Sequence, residues 1–143
     1  MKSKTPATAT ALTIACAVLS GSVYANPTEV SDGILIDTRS RKTLYTFDAD
    51  DPATGKSVCT GTCEALWPPF IADESLKPTG HYATSKRASG GAQWTFKGKP
   101  LYFFVVDRKV GSRLGDNIEN VWHVVDPTRP PRFTPASADT ESY

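Results

Sequence analysis

The chain contains the same pattern twice, and this constrains its fold more than any other feature. Leu44-Tyr45-Thr46-Phe47-Asp48-Ala49-Asp50 aligns with Leu101-Tyr102-Phe103-Phe104-Val105-Val106-Asp107 at an offset of 57, so both read Leu-Tyr-x-Phe-x-x-Asp. Gly55 then matches Gly111 at 56 and Trp67 matches Trp122 at 55; short deletions separate the copies without disturbing their order. Repetition on this scale marks a supersecondary unit that cannot bury its apolar face alone and packs against its neighbour. Tyr and Phe two residues apart share one face of a strand. The alternation in Tyr45-Thr46-Phe47 and Trp94-Thr95-Phe96, with the polar turn Lys97-Gly98-Lys99, predicts β-hairpins.

Further elements follow from the same reading. Ile34-Leu35-Ile36 begins copy one, Trp122-His123-Val124-Val125 is a third strand of copy two, and His81 to Lys86 adds a strand between them. Trp67-Pro68-Pro69-Phe70 must be an edge or extended segment, since proline donates no ladder bond. Helical periodicity is limited to a single turn at Glu64-Ala65-Leu66. We expect an all-β protein, a small sandwich or barrel built from two pseudo-repeats of about 57 residues, with repeat one over 33–71 and repeat two over 92–126.

Both ends fall outside this unit. Lys2 and Lys4, the apolar run Ala11–Leu19, and the small residues Val23 and Ala25 form a secretory signal cut after Ala25. The apolar run falls short of the roughly 20 residues that span a bilayer. Cys16 follows Thr13-Ile14-Ala15, a poor lipobox inside the apolar run, which argues against lipid anchoring. Residues 26–126 form the single β domain, and the proline-rich segment 127–143 is expected to be a disordered tail. Of 16 basic and 15 acidic side chains, cleavage removes Lys2 and Lys4, leaving 14 against 15. A nearly neutral protein has no global field to attract nucleic acid or an anionic membrane surface.

With Leu-Tyr-x-Phe-x-x-Asp twice, Cys-x3-Cys before Ala-Leu-Trp-Pro-Pro, Gly-Lys-Pro-Leu-Tyr, and Val-Trp-His-Val-Val at the close, the chain resembles the bacterial secreted-repeat family defined by a Tyr-x4-Asp motif. The resemblance covers about Gly33 to Asp126 and implies an exported protein or lipoprotein with tandem copies and no assigned activity.

Candidate chemistry is sparse. In an oxidising compartment Cys59 and Cys63 favour a disulfide. On a strand their Cα atoms would lie about 13 Å apart, against the roughly 4.4 to 6.8 Å that a bridge needs, so the chain must turn, and Gly61 permits it. Thiol–disulfide exchange and metal ligation are the alternatives. His81 and His123, with the two cysteines, contain the ligand types of a copper or zinc site, although their spacing matches no standard finger and His123 reads as a solvent-facing strand residue. Asp48, Asp50 and Asp51 suggest a calcium loop, but Pro52 interrupts it, and copy two offers only Asp107 before Arg108 and Lys109. Asp50 and Asp107 are therefore read as acceptors for turn amides. Tyr45, Phe47, Tyr102 and Phe104, with Trp67 and Trp122, are read as two halves of one aromatic core, a binding groove being the alternative. Standard catalytic motifs are missing, and a hydrolase would have to gather a nucleophile, a histidine and a carboxylate in one cleft. These readings lead to a non-catalytic periplasmic or secreted binding or structural module, without cofactor, whose partner is an envelope protein or small ligand. The alternative is a periplasmic metal-binding or redox accessory protein.

Overall fold

A computed structural model describes residue 2 and residues 26–135, so the expected signal and the end of the tail lie outside the described residues. The fold is nearly all β, with β1 (Thr28–Ser31), β2 (Ile34–Asp37), β3 (Tyr45–Phe47), β4 (Tyr82–Lys86), β5 (Ala92–Phe96), β6 (Lys99–Pro100) and β7 (Trp122–Val124). The expected single turn is α1 (Thr62–Leu66), whose Trp67 N–H donates to Cys63 O and closes it. Three small antiparallel sheets result: β1 with β2, β3 with β7, and β4-β5-β6. Isolated bridges Ile36–Thr43, Tyr45–Tyr102, Pro69–Tyr102 and Ile71–Gln93 join them.

The sheets exchange strands between the repeats. β3 of repeat one pairs with β7 of repeat two, placing Tyr45 opposite Val124 and Phe47 opposite Trp122. Reciprocally, Phe103 N–H donates to Pro68 O and Phe70 N–H to Leu101 O, so repeat two's Leu-Tyr segment, which forms isolated bridges at Tyr102 in place of the expected strand, lies along repeat one's Trp67–Phe70 segment. Where the halves meet, Tyr45 and Tyr102 exchange both backbone bonds, at 2.9 and 3.0 Å. Other bonds recur in matched pairs: Leu44 to Leu35 with Leu101 to Trp94, and Leu35 to Val125 with Trp94 to Phe70. The two halves are thus related by an approximate two-fold exchange.

Each repeat begins one strand earlier than the sequence pattern suggested. β1 and β4 open the two units, and both were missed as partners because Thr28-Glu29-Val30-Ser31 and Tyr82-Ala83-Thr84-Ser85-Lys86 share no side-chain pattern. What they share is position, each pairing with the strand that follows.

Two apolar clusters form the core. Leu35, Leu44, Phe70, Trp94, Phe96, Leu101 and Val125 make one, with Leu44 and Leu101 in matching places. Tyr45, Cys59, Trp67, Tyr102, Phe104 and Trp122 make the other. No helix among the described residues is long and apolar enough to cross a membrane.

Because neither half completes its own pairing, fragments 26–80 and 81–135 should each lack cooperative unfolding and regain it on mixing. Near-ultraviolet circular dichroism of the tryptophans tests this, and a cooperative transition in either fragment alone as a monomer would contradict it.

Candidate functional site

The repeated motif residues meet at the centre. Four rings form one ladder: Phe47 stacks on Trp122 at 4.4 Å, Trp122 on Trp67 at 3.8 Å, and Trp67 on Phe104 at 4.4 Å. Tyr45 meets Trp67 edge-on at 5.4 Å, and Tyr102 meets Trp122 in the same way at 5.2 Å. The aromatics are core and do not line a groove: both tyrosines have no exposed surface and both tryptophans are almost completely buried. Gly115 belongs here because a Cβ at that position would lie 2.8 to 2.9 Å from the Trp67 and Tyr45 rings.

Asp50 and Asp107 accept turn amides as expected, from Val58 N–H at 2.7 Å and Leu114 N–H at 3.0 Å. Their second oxygens do something that the sequence reading missed. Tyr45 Oη donates to Asp107 Oδ2 at 2.5 Å, and Tyr102 Oη donates to Asp50 Oδ2 at 2.6 Å, so each tyrosine reaches the aspartate of the other repeat. Burial, reinforced by Asp107, raises the Tyr45 pKa far above its ordinary 10.0, and burial with the Asp50 charge does the same to Tyr102. Burial also raises the Asp50 carboxyl, against the pull of its hydrogen bonds from Tyr102 and Val58.

Cys59 and Cys63 are bridged, with Cα atoms 5.3 Å apart across the turn that leads into α1. Beside the bridge the nearly buried Arg87 donates to Cys59 O at 2.9 Å and pairs with Glu64 at 2.9 Å. A loop this short contributes about 2 kcal/mol of chain-entropy stabilisation.

His81 is exposed and meets Phe96 edge-on at 5.8 Å. His123, expected to face solvent, is instead buried, with Nε2 3.2 Å from Asp48 Oδ2. The strand register explains this: His123 pairs with Thr46, and Asp48 lies two residues further along that face. Asp48 Oδ1 has no hydrogen-bond partner among the described residues. At the matching positions repeat two has Val105 and repeat one has Pro68, so both members of this polar pair are replaced together in the internal alignment. That joint replacement was a legible signal.

Buried Lys99 lies close by, its Nζ donating to Asp50 O at 2.5 Å and Asp48 O at 3.3 Å. Burial lowers its pKa, and the charge of Asp50 opposes this. A cleft of about 380 Å³ opens over the same face, lined in part by Thr46, Lys97, Lys99, His123 and Arg129. The segment expected to be a disordered tail forms one wall. Residues 127–135 contain no helix or strand, yet Lys97 Nζ holds Pro127 O at 2.6 Å, and Thr134 N–H donates to Asp48 O at 3.0 Å.

The arrangement offers cations and an imidazole around a small cleft of mixed polar and apolar lining. His123 has no hydroxyl or thiol nucleophile hydrogen-bonded to it among the described residues. No group of three or more His, Cys, Asp or Glu side chains that could hold an ion occurs among the described residues, and the bridge occupies both cysteine sulfurs.

A family model described as a secreted repeat of unknown function matches residues 28–71 and again residues 83–126. Among curated proteins and among solved structures none matches the chain.

Tyr45→Phe and Tyr102→Phe each leave a buried carboxylate oxygen without its donor, and each should cost about 1–3 kcal/mol in urea unfolding. The folded phenol pKa values lie above 10.0, so this stabilisation is complete below pH 10.0 and is lost as pH rises towards the folded values. Ultraviolet titration should show Tyr45 and Tyr102 ionising only as the fold is lost, and ionisation of both in a still-folded protein would contradict the assignment.

Proposed function

Since the chain belongs to this family of secreted repeats, we propose that it is a non-catalytic binding module of the bacterial envelope, exported by cleavage after Ala25 and resident in the periplasm. The twin repeat is a rigid scaffold, and the His123 cleft is where a small ligand or a segment of an envelope protein is held. The observation that carries this reading is the uneven use of the two copies. The motif residues Tyr45, Asp50, Tyr102, Asp107, Trp67 and Trp122 are spent on holding the halves together, whereas the polar Asp48–His123 pair beside a cleft, one member from each half, forms at only one of the two equivalent junctions, the other having Val105 and Pro68 in those places. The non-catalytic reading is supported by the lack of a standard catalytic motif in the sequence.

Intact mass of the protein recovered from the bacterial envelope, native and denatured, with and without alkylation, tests the reading. We expect a chain beginning at Asn26, about 2 Da lighter than the reduced form through loss of two hydrogens, and a cleft ligand that leaves unchanged on denaturation. Free alkylatable thiols with a retained copper or zinc ion would favour the metal or redox accessory role, and a ligand released chemically altered would favour an enzyme.

A further inference from the structure

The loops after the two motif aspartates have diverged. After Asp50 the chain reads Asp51-Pro52-Ala53-Thr54-Gly55, and after Asp107 it reads Arg108-Lys109-Val110-Gly111-Ser112-Arg113-Leu114. The first loop is held against its neighbours, although Ala53, Thr54, Lys56 and Val58 remain exposed. Gly98 at the β5–β6 turn packs against Pro52 so closely that a Cβ would lie 2.1 Å from its carbonyl oxygen, and Lys99 and Thr134 bond the carbonyls of Asp50 and Asp48. The second is open: Val105 is 42% exposed, Val106 45%, Val110 69% and Leu114 61%, and Arg108, Lys109 and Arg113 are exposed among them.

This display is not a product of looseness. Asp107 Oδ1 takes Leu114 N–H, Ser112 N–H closes a turn to Lys109 O, and Thr43 Oγ1 donates to Ser112 O at 2.6 Å. The loop's one acid, Asp107, is buried on Tyr45; at the rim Asp32 faces Arg113, and Asp116 beyond the loop accepts Val124 N–H. Arg108 and Lys109 form no ion pair among the described residues. Near-neutral net charge therefore conceals a local cationic and apolar surface.

Such a surface fits an anionic, deformable partner. Protein interfaces rely on aromatic or arginine anchors seated in pockets. Here the apolar groups are valines and a leucine on a turn, and they line neither the His123 cleft nor the one beside the disulfide. Small apolar side chains interleaved with cations are what a lipid interface accepts, the former at the headgroup–acyl boundary and the latter on phosphates. We propose that the 105–114 loop docks the protein on an anionic membrane surface, with Val110 and Leu114 inserting and Arg108 and Lys109 pairing with lipid phosphates. The proposal rests on the exported reading for access to such a surface and is independent of the cleft.

Flotation of the protein recovered from the envelope, with vesicles of phosphatidylcholine plus phosphatidylglycerol against phosphatidylcholine alone, is the test. Binding should require phosphatidylglycerol and weaken with salt. Arg108→Gln/Lys109→Gln should partition about thirtyfold less, at roughly fivefold per lost cation. Val110→Ser/Leu114→Ser should also detach, and both variants should keep the wild-type near-ultraviolet spectrum. No flotation of the wild type, or equal flotation of the Gln variant, overturns the proposal. A failure of export would show instead in the intact mass, which flotation of purified protein does not probe.

Discussion

Two buried hydrogen bonds, from Tyr45 to Asp107 and from Tyr102 to Asp50, cross between the repeats and fix how the halves engage. Each aspartate also pins the loop that follows it, so one carboxylate links a partner's strand to its own turn. A charge-assisted bond in a low-dielectric interior is costly to leave unmade. The ring ladder from Phe47 to Phe104 can close only when both bridges are in register, since the two tryptophans at its centre come from different halves.

Much of this was legible in the sequence. Period-two aromatics gave the strands, proline marked Trp67–Phe70 as an extended segment, and the Cys-x3-Cys spacing demanded the turn that α1 supplies. The exchange of partners was not read, because a motif repeated identically does not say which tyrosine reaches which aspartate. β1 was not expected, and β4 was expected only as a strand between the copies, because paired strands need only backbone complementarity and these two carry unrelated side chains.

The candidate site was harder to see than the fold. His123 looked like an ordinary strand residue, and its burial depends on a register that brings Asp48 to it across β3 and β7. Lys99 occupies the same motif position as Lys42, yet Lys42 is exposed and Lys99 is buried on backbone carbonyls. Position within a repeat therefore predicts backbone conformation better than it predicts environment, because environment is set by whatever else packs nearby. Here that includes the 127–135 segment.

The two-fold exchange has a further consequence. An interface in which each half offers the same groups to the other is the geometry of a symmetric dimer. Written as one chain, the same contacts form between tethered partners at a high effective concentration, so the fold does not come apart on dilution. Tethering also removes the rule that every substitution in a symmetric pair appears twice. One half can hold Asp48 and the other His123, with Val105 and Pro68 in the mirrored places, and a single asymmetric feature can sit on a symmetric frame.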